Sequence, residues 1–322
     1  MSATLPIWLP VKCLPALGVR SRWDDRGVTT RDEPAGTGLA PIVGASEVAA
    51  ISGVVPCDVR WYLDGRSGRD AYDAGHLPGA VFVDLDQHLT STLEPEMGPE
   101  AGRHPLPAPE AFARSMGALG IGPEDPVVAY DDAGGMAAGR LVWMLRVLGR
   151  PAALLDGGIA AWNGPLETSP TVRSPIVVPT QPWPSGEVAS IEEVAEVAAT
   201  GRAGELVLDA RGADRYRGET EPVDPRAGHV PGARNAPFAG NLEADGPRAG
   251  GFRSPDELAA RYEDLGVVDA ADVIAYCGSG VSACHNLLAM EHAGLGRGRL
   301  FVGSWSQWSH TDRPAALGAE PG

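Results

Sequence analysis

The sequence predicts an α/β protein built twice over: two tandem domains, each a mostly parallel sheet flanked by helices. Three observations carry this. Five blocks of residues recur in the same order in the two halves of the chain. In each half, apolar runs of buried-strand type alternate with helical stretches. One of those runs ends in a glycine-rich turn that opens directly into a helix.

The recurring blocks fix the organisation. Asp58-Val59-Arg60 is matched by Asp209-Ala210-Arg211, and His76-Leu77-Pro78-Gly79-Ala80 by His229-Val230-Pro231-Gly232-Ala233. Val127-Val128-Ala129-Tyr130 is echoed by Val273-Ile274-Ala275-Tyr276. From there the copies run without a gap: Leu154-Leu155-Asp156-Gly157-Gly158 pairs with Leu300-Phe301-Val302-Gly303-Ser304, and Trp162 with Trp308. Both tryptophans are assigned to the core. In the second copy a strand around Val207-Leu208-Asp209 leads to a loop. A helix then runs from Pro255 to Leu265, with Ser254 as N-cap, Pro255 in the first turn and Gly266 as terminator. The Val273 strand follows, then the glycine-rich turn, then a helix from Ser282 to Ala293 closed by Gly294.

These elements place a first domain at 39–168 and a second at 187–318. Residues 169–186, with five prolines and few charges, read as an extended linker. Residues 1–38 do not read as structure: prolines 6, 10 and 15 break the apolar part, and a charged run from Arg20 to Arg26 follows. A disordered extension or a start codon placed too early is expected. Asp24 and Asp25 speak against a transit peptide, and no secretory signal is recognisable.

Composition narrows the function. A net charge of −16 repels phosphate backbones, which excludes nucleic acid as a partner. No apolar run approaches membrane-span length, so no membrane role is expected. Lys12 is the sole lysine, which removes Schiff-base chemistry from the folded domains. Cys13, Cys57, Cys277 and Cys284 show no metal-binding or disulfide spacing. No metal or other cofactor is implied, and a reducing cytoplasm suits four free thiols.

The turn Cys277-Gly278-Ser279-Gly280-Val281-Ser282-Ala283 lies between a buried strand and a helix N-terminus. Glycines let successive backbone N–H groups converge, and the helix dipole adds partial positive charge. A thiol at that centre is favoured as thiolate, a nucleophile at neutral pH without a neighbouring cation. A buried structural cysteine is the alternative, and the strand–Cys–Gly-x-Gly–helix placement argues against it.

With these residues in view, the chain from about Ala40 to Leu317 resembles the tandem rhodanese-domain sulfurtransferases. Asp58-Val59-Arg60-Trp61, the two His-x-Pro-Gly-Ala motifs, Asp156-Gly157-Gly158 and Gly303-Ser304-Trp305-Ser306-Gln307-Trp308 carry the resemblance. The active loop is similar to that of 3-mercaptopyruvate sulfurtransferases, which have glycine and serine after the cysteine. Thiosulfate sulfurtransferases typically have arginine and lysine there. Ser282 stands where the family usually has threonine, with the hydroxyl retained.

The resemblance implies a persulfide on Cys277, with sulfur passed from 3-mercaptopyruvate to a thiol or cyanide, a thioredoxin-like protein among the candidate acceptors. It implies that Gly278, Gly280, Val281 and Ser282 line the loop, and that Arg215 and Arg226 bind the substrate carboxylate. It also implies that Ser279 works with a histidine and an aspartate of the first domain. His76 matches that histidine and Asp70 is the nearest carboxylate, with Asp73 its rival; against this, His229 holds the equivalent place in the second copy. Asp58, Arg60, Asp209 and Arg211 occur in both copies and so read as structural. Asp131 takes the cysteine's place in the first copy, which makes that domain structural. Cys284 reads as a small buried hydrophobe. Thiosulfate:cyanide sulfur transfer remains the alternative, with a non-enzymatic sulfur carrier behind it. Ala283 excludes a phosphatase, which needs an arginine at the loop's end.

Overall fold

The structure, a computed structural model, describes residues 38–91, 98, 101–201 and 204–322. The expected N-terminal extension lies outside the described residues except for Gly38. In the first half the elements are β1 (Ile42–Val43), α1 (Ala45–Val48), β2 (Val55–Asp58), α2 (Gly68–Ala74), β3 (Val81–Phe82), α3 (Leu85–His88), α4 (Pro109–Ala118), β4 (Val127–Tyr130), α5 (Ala138–Val147) and β5 (Ala152–Leu155). The second half holds α6 (Ile191–Thr200), β6 (Leu206–Asp209), α7 (Ala213–Tyr216), β7 (Arg234–Asn235), α8 (Pro255–Asp264), β8 (Val273–Tyr276), α9 (Ser282–His292), β9 (Arg299–Leu300) and α10 (Ser304–Trp308).

Each half makes its own sheet, in the order β1-β5-β4-β2-β3 and β7-β6-β8-β9, and every strand pairing in both is parallel. Parallel strands need helices on both faces. The inner strands β4 and β8 are accordingly apolar and buried along their whole length. Local signals set the helix starts. Ser254 and Glu257 form a reciprocal capping box at α8, with Pro255 in the first turn. Ser190 and Glu193 do the same at α6.

The duplication is visible in detail. Arg60 and Asp58 make the same paired contact, 2.6 Å at its shortest, as Arg211 and Asp209. The hydroxyls of Tyr130 and Tyr276 accept from the backbone of Leu77 and Val230. Trp308 is buried in the second half, while Trp162 packs partly buried against the first. Residues 169–184 contain no helix or strand, and Trp183 anchors them by packing on Phe112 and donating to the Pro107 carbonyl at 2.8 Å.

Helices α5 and α9 pack against each other where the halves join. Each follows a strand-to-helix loop, so the two loops face the same seam. His285 of α9 reaches the first loop through the Gly134 carbonyl at 3.0 Å, and Arg140 of α5 donates to Gly280 of the second at 2.7 Å. The cysteine loop therefore lies at the carboxyl end of an inner parallel strand, where α/β sheets offer their ligand crevices.

Candidate active site

Cys277 directly follows β8 and is 2% exposed. Its Sγ accepts the Gly280 N–H at 3.1 Å, its N–H donates to Ser304 Oγ at 3.1 Å, and its carbonyl accepts from Trp305. Gly280 holds φ +75, and a Cβ there would run into the Val302 carbonyl, so glycine is required on both counts. Ser304 takes a left-handed φ of 53 with its hydroxyl donating to Phe301 O. That strained residue ties the cysteine's backbone to the end of β9.

The first half completes the site. His104 Nδ1 lies 2.7 Å from Ser279 Oγ, and His104 Nε2 lies 3.5 Å from Asp86 Oδ1. Asp86 also accepts from Trp61 Nε1 at 2.9 Å, and the Trp61 ring meets the His104 imidazole edge-on. The hydrogen bond to His104 holds the Asp86 carboxyl below the usual carboxylate range, although partial burial works against it. Arg140 is fully buried, and the partners of its guanidinium are carbonyl oxygens: Gly280, His104 at 2.8 Å and Leu89 at 3.4 Å. Burial pushes its pKa down, and the thiols of Cys284 and Cys277 lie close enough to oppose that.

Two more guanidiniums stand over Gly278. A Cβ on that glycine would come within 3.0 Å of Arg103 Nη2 and 3.4 Å of Arg215 Nη1. Arg103 pairs with Asp224, and Arg215 pairs with Glu221 at 2.6 Å and with Asp224 at 3.3 Å. The Arg103 N–H donates to Ser306 Oγ at 3.1 Å, which seats the first-half segment against the start of α10. The loop's own sequence has no cation; the fold brings Arg215, as expected, and Arg103, which was not expected, to Gly278.

Of the expected residues, the structure gathers Cys277, Gly278, Ser279, Gly280, Val281, Ser282 and Arg215. It does not bring His76, Asp70 or Arg226 to them. His76 is fully buried, stacked 3.8 Å from the Tyr72 ring with Nδ1 on the Tyr72 carbonyl at 2.8 Å. His229 repeats this against Tyr216, so the His-x-Pro-Gly-Ala histidines are fold elements. Asp70 belongs to the first turn of α2, where its N–H caps on Ser67, and its rival Asp73 pairs with Arg69 on the surface. Arg226 donates to the carbonyls of Trp308, Ser309 and Arg313, tying down the end of α10. Arg103, His104, Asp86 and Arg140 are the residues that sequence reasoning missed. One signal was available: the register that lays α4 over α8 sets Ala249 and Gly250 opposite Arg103 and His104, so these two break the repeat.

The first half's loop holds Asp131, 1% exposed, with four backbone N–H groups on its carboxylate: Ala133 and Gly135 on one oxygen, Ala137 and Ala138 on the other, all at 2.8–2.9 Å. Burial raises its pKa and those four donors work against the rise. Cys284 donates to Gly280 O and is pushed up to about 12 by burial, and burial raises the Cys57 thiol further. Among the described residues no cluster of His, Cys, Asp or Glu is arranged to hold a metal ion.

Comparison with known proteins identifies the fold. Residues 50–165 and 190–311 each match the rhodanese-like domain. A probable 3-mercaptopyruvate sulfurtransferase of Pseudomonas aeruginosa is 40% identical over 269 residues, spanning 81% of this chain and 91% of that protein. A putative thiosulfate sulfurtransferase of Mycobacterium tuberculosis is 38% identical over 289 residues, spanning 87% and 95%. The solved structure of the 3-mercaptopyruvate sulfurtransferase from Leishmania major superposes with a TM-score of 0.72 at 31% identity, covering 88% of this chain and 77% of that one. With both halves matched, a shared architecture and identity sustained across most of its length, this chain belongs to the rhodanese family and carries two rhodanese-like domains in tandem.

Proposed function

We propose that this chain is a sulfurtransferase that takes sulfur from 3-mercaptopyruvate onto Cys277 and passes it to a thiol or to cyanide, releasing pyruvate. The observation that carries the reading is the contact between Ser279 and His104 across the two domains, 2.7 Å long and continued toward Asp86. A hydroxyl so oriented, beside the nucleophile and below two guanidiniums, suits a donor with a carbonyl next to a carboxylate.

Arg103 and Arg215 receive the carboxylate, which leaves the donor sulfur over Cys277. The thiolate attacks that sulfur, an S–S bond forms and the C–S bond breaks. Its electron pair passes into the enolate of pyruvate. The donor's S–H proton is the equivalent that ends on the former sulfur-bearing carbon, leaving a persulfide anion on Cys277. Ser279, held by His104, donates to the carbonyl oxygen as negative charge builds there, and Asp86 fixes the imidazole. The acceptor then attacks the outer sulfur, and the S–S pair returns to Cys277.

The first domain gives independent support. An aspartate carboxylate oxygen stands two bonds beyond Cβ, as does the outer sulfur of a cysteine persulfide. Asp131, with its four N–H donors, therefore displays the kind of anion that the duplicated loop is built to hold. On this reading the first domain, whose loop carries Asp131 in place of a thiol, is structural and supplies groups to its twin.

A second reading, thiosulfate as donor, draws on the same two guanidiniums, since paired cations also suit a sulfonate. Steady-state kcat/KM with mercaptopyruvate and with thiosulfate on one preparation separates the two. Preference for mercaptopyruvate is expected; preference for thiosulfate overturns the donor assignment. Among the described residues no helix is long and apolar enough to cross a membrane. A reducing cytoplasm and a thioredoxin-like acceptor suit the buried, unpaired thiols of Cys57, Cys277 and Cys284.

A further inference from the structure

The two guanidiniums above Gly278 belong to a cluster of arginines and carboxylates whose formal charges balance. Arg103, Arg211 and Arg215 are set against Asp209, Glu221 and Asp224. Asp209 and Arg211 repeat a structural pair of the first half, and Glu221 is shared between Arg211 and Arg215. Asp224 differs. One of its oxygens contacts Arg103 of the first domain and the other lies 3.3 Å from Arg215 of the second, so among the described residues it joins the two guanidiniums above Gly278. Its side chain is 1% exposed, and its backbone N–H is fixed on Glu221 at 3.1 Å. Burial pushes its carboxyl up, against the pull of Arg103 and Arg215. A carboxylate there repels every anion that approaches the arginines.

We infer that Asp224 is a specificity-determining residue that sets the charge of donor this site accepts, favouring a monoanionic carboxylate over a dianionic sulfur oxyanion. The inference rests on the reading of Cys277 as sulfur acceptor beneath an Arg103–Arg215 anion receptor. Coulomb energy is linear in ligand charge, so Asp224 opposes a dianion about twice as strongly as a monoanion in free energy. Removing its charge should then raise affinity for the dianion by roughly the square of the factor gained by the monoanion. Asparagine is nearly isosteric and keeps one oxygen to accept from a guanidinium, so the arginines remain in place.

The test compares wild type, Asp224→Asn, Asp224→Ser and Asp224→Glu, with mercaptopyruvate and thiosulfate as donors and cyanide as acceptor. In both neutral variants the thiosulfate-to-mercaptopyruvate ratio of kcat/KM should rise at least about threefold, through the KM for thiosulfate, and the gain should shrink with added salt. Asp224→Glu, which keeps the charge, should keep the wild-type ratio. A ratio that is unchanged or lower in Asp224→Asn and Asp224→Ser, with circular dichroism and Cys277 alkylation at wild-type levels, overturns the inference. So does the same rise in Asp224→Glu, because packing and not charge would then be responsible. A wild type that cleaves thiosulfate and ignores mercaptopyruvate sinks the donor reading instead, and is recognised before any variant is compared.

Discussion

Removing the Ser279 hydroxyl by Ser279→Ala separates the two donor chemistries. The perturbation deletes one atom whose partner is His104 Nδ1 at 2.7 Å and leaves the Cys277–Gly280 contact untouched. Ser279 is buried, so the fold loses one interdomain hydrogen bond, about 0.5–1.5 kcal/mol of stability. Catalysis loses more. A preorganised donor aimed at a developing oxyanion is worth about 2.7–4 kcal/mol, roughly a hundred- to a thousand-fold in rate. With mercaptopyruvate, kcat/KM should fall by about that factor, measured as pyruvate released in single-turnover mixing. Thiosulfate has no carbonyl to polarise, so its cleavage should change less than about threefold, the low end of what one lost hydrogen bond costs. Alkylation of Cys277 by iodoacetamide should proceed at the wild-type rate, showing that the nucleophile is intact. If pyruvate release is within threefold of wild type, or if both donors lose activity equally, Ser279 does not act on a carbonyl and the Ser279–His104–Asp86 arrangement is structural.

Further expectations follow from the same geometry. Cys277→Ser should abolish transfer while preserving the fold, and mass spectrometry of donor-treated wild type should place one added sulfur on the Cys277 peptide; sulfur on Cys57 or Cys284 would reassign the nucleophile. Arg215→Ala and Arg103→Met should each lower kcat/KM for mercaptopyruvate about ten- to a hundred-fold, the worth of one charge-assisted contact, whereas Arg226→Ala should act on the thermal midpoint first. At mildly alkaline pH, peptide mapping after iodoacetamide should find Cys277 modified and Cys284 unmodified. Burial raises the Cys284 thiol to about 12, so it stays protonated until the pH climbs toward that value, and early labelling of Cys284 would contradict its packing. Asp131→Asn should destabilise by roughly 2–4 kcal/mol in urea titration, because the amide nitrogen cannot accept the N–H groups of Ala137 and Ala138 or their counterparts on the other oxygen.

The sequence by itself determined the duplication, the parallel α/β class of each half, the strand–loop–helix around Cys277 and the replacement of cysteine by Asp131. These are local or repeated features: strand burial, N-caps and glycines at positive φ act over a few residues, and a second copy in the same chain doubles the signal. The residues around the nucleophile were legible to the extent that they lie within the loop itself, as Gly278 to Ser282 do. Arg215 was legible by resemblance, from its place beside a repeated Asp-x-Arg motif. What only the tertiary structure decided is which first-domain groups meet that loop. His76 shares its motif with His229, and a repeated motif reports the fold; both rings are spent on a tyrosine. His104 and Arg103 reach Ser279 and Ser306 across contacts 175 and 203 residues apart in sequence. Such contacts follow from how α5 packs on α9, and side-chain shape at that seam is not encoded in any local pattern. Arg103 stands where Arg226 was expected for the same reason: a guanidinium satisfies whichever oxygens the folded chain sets within its reach, and for Arg226 those are the carbonyls closing α10.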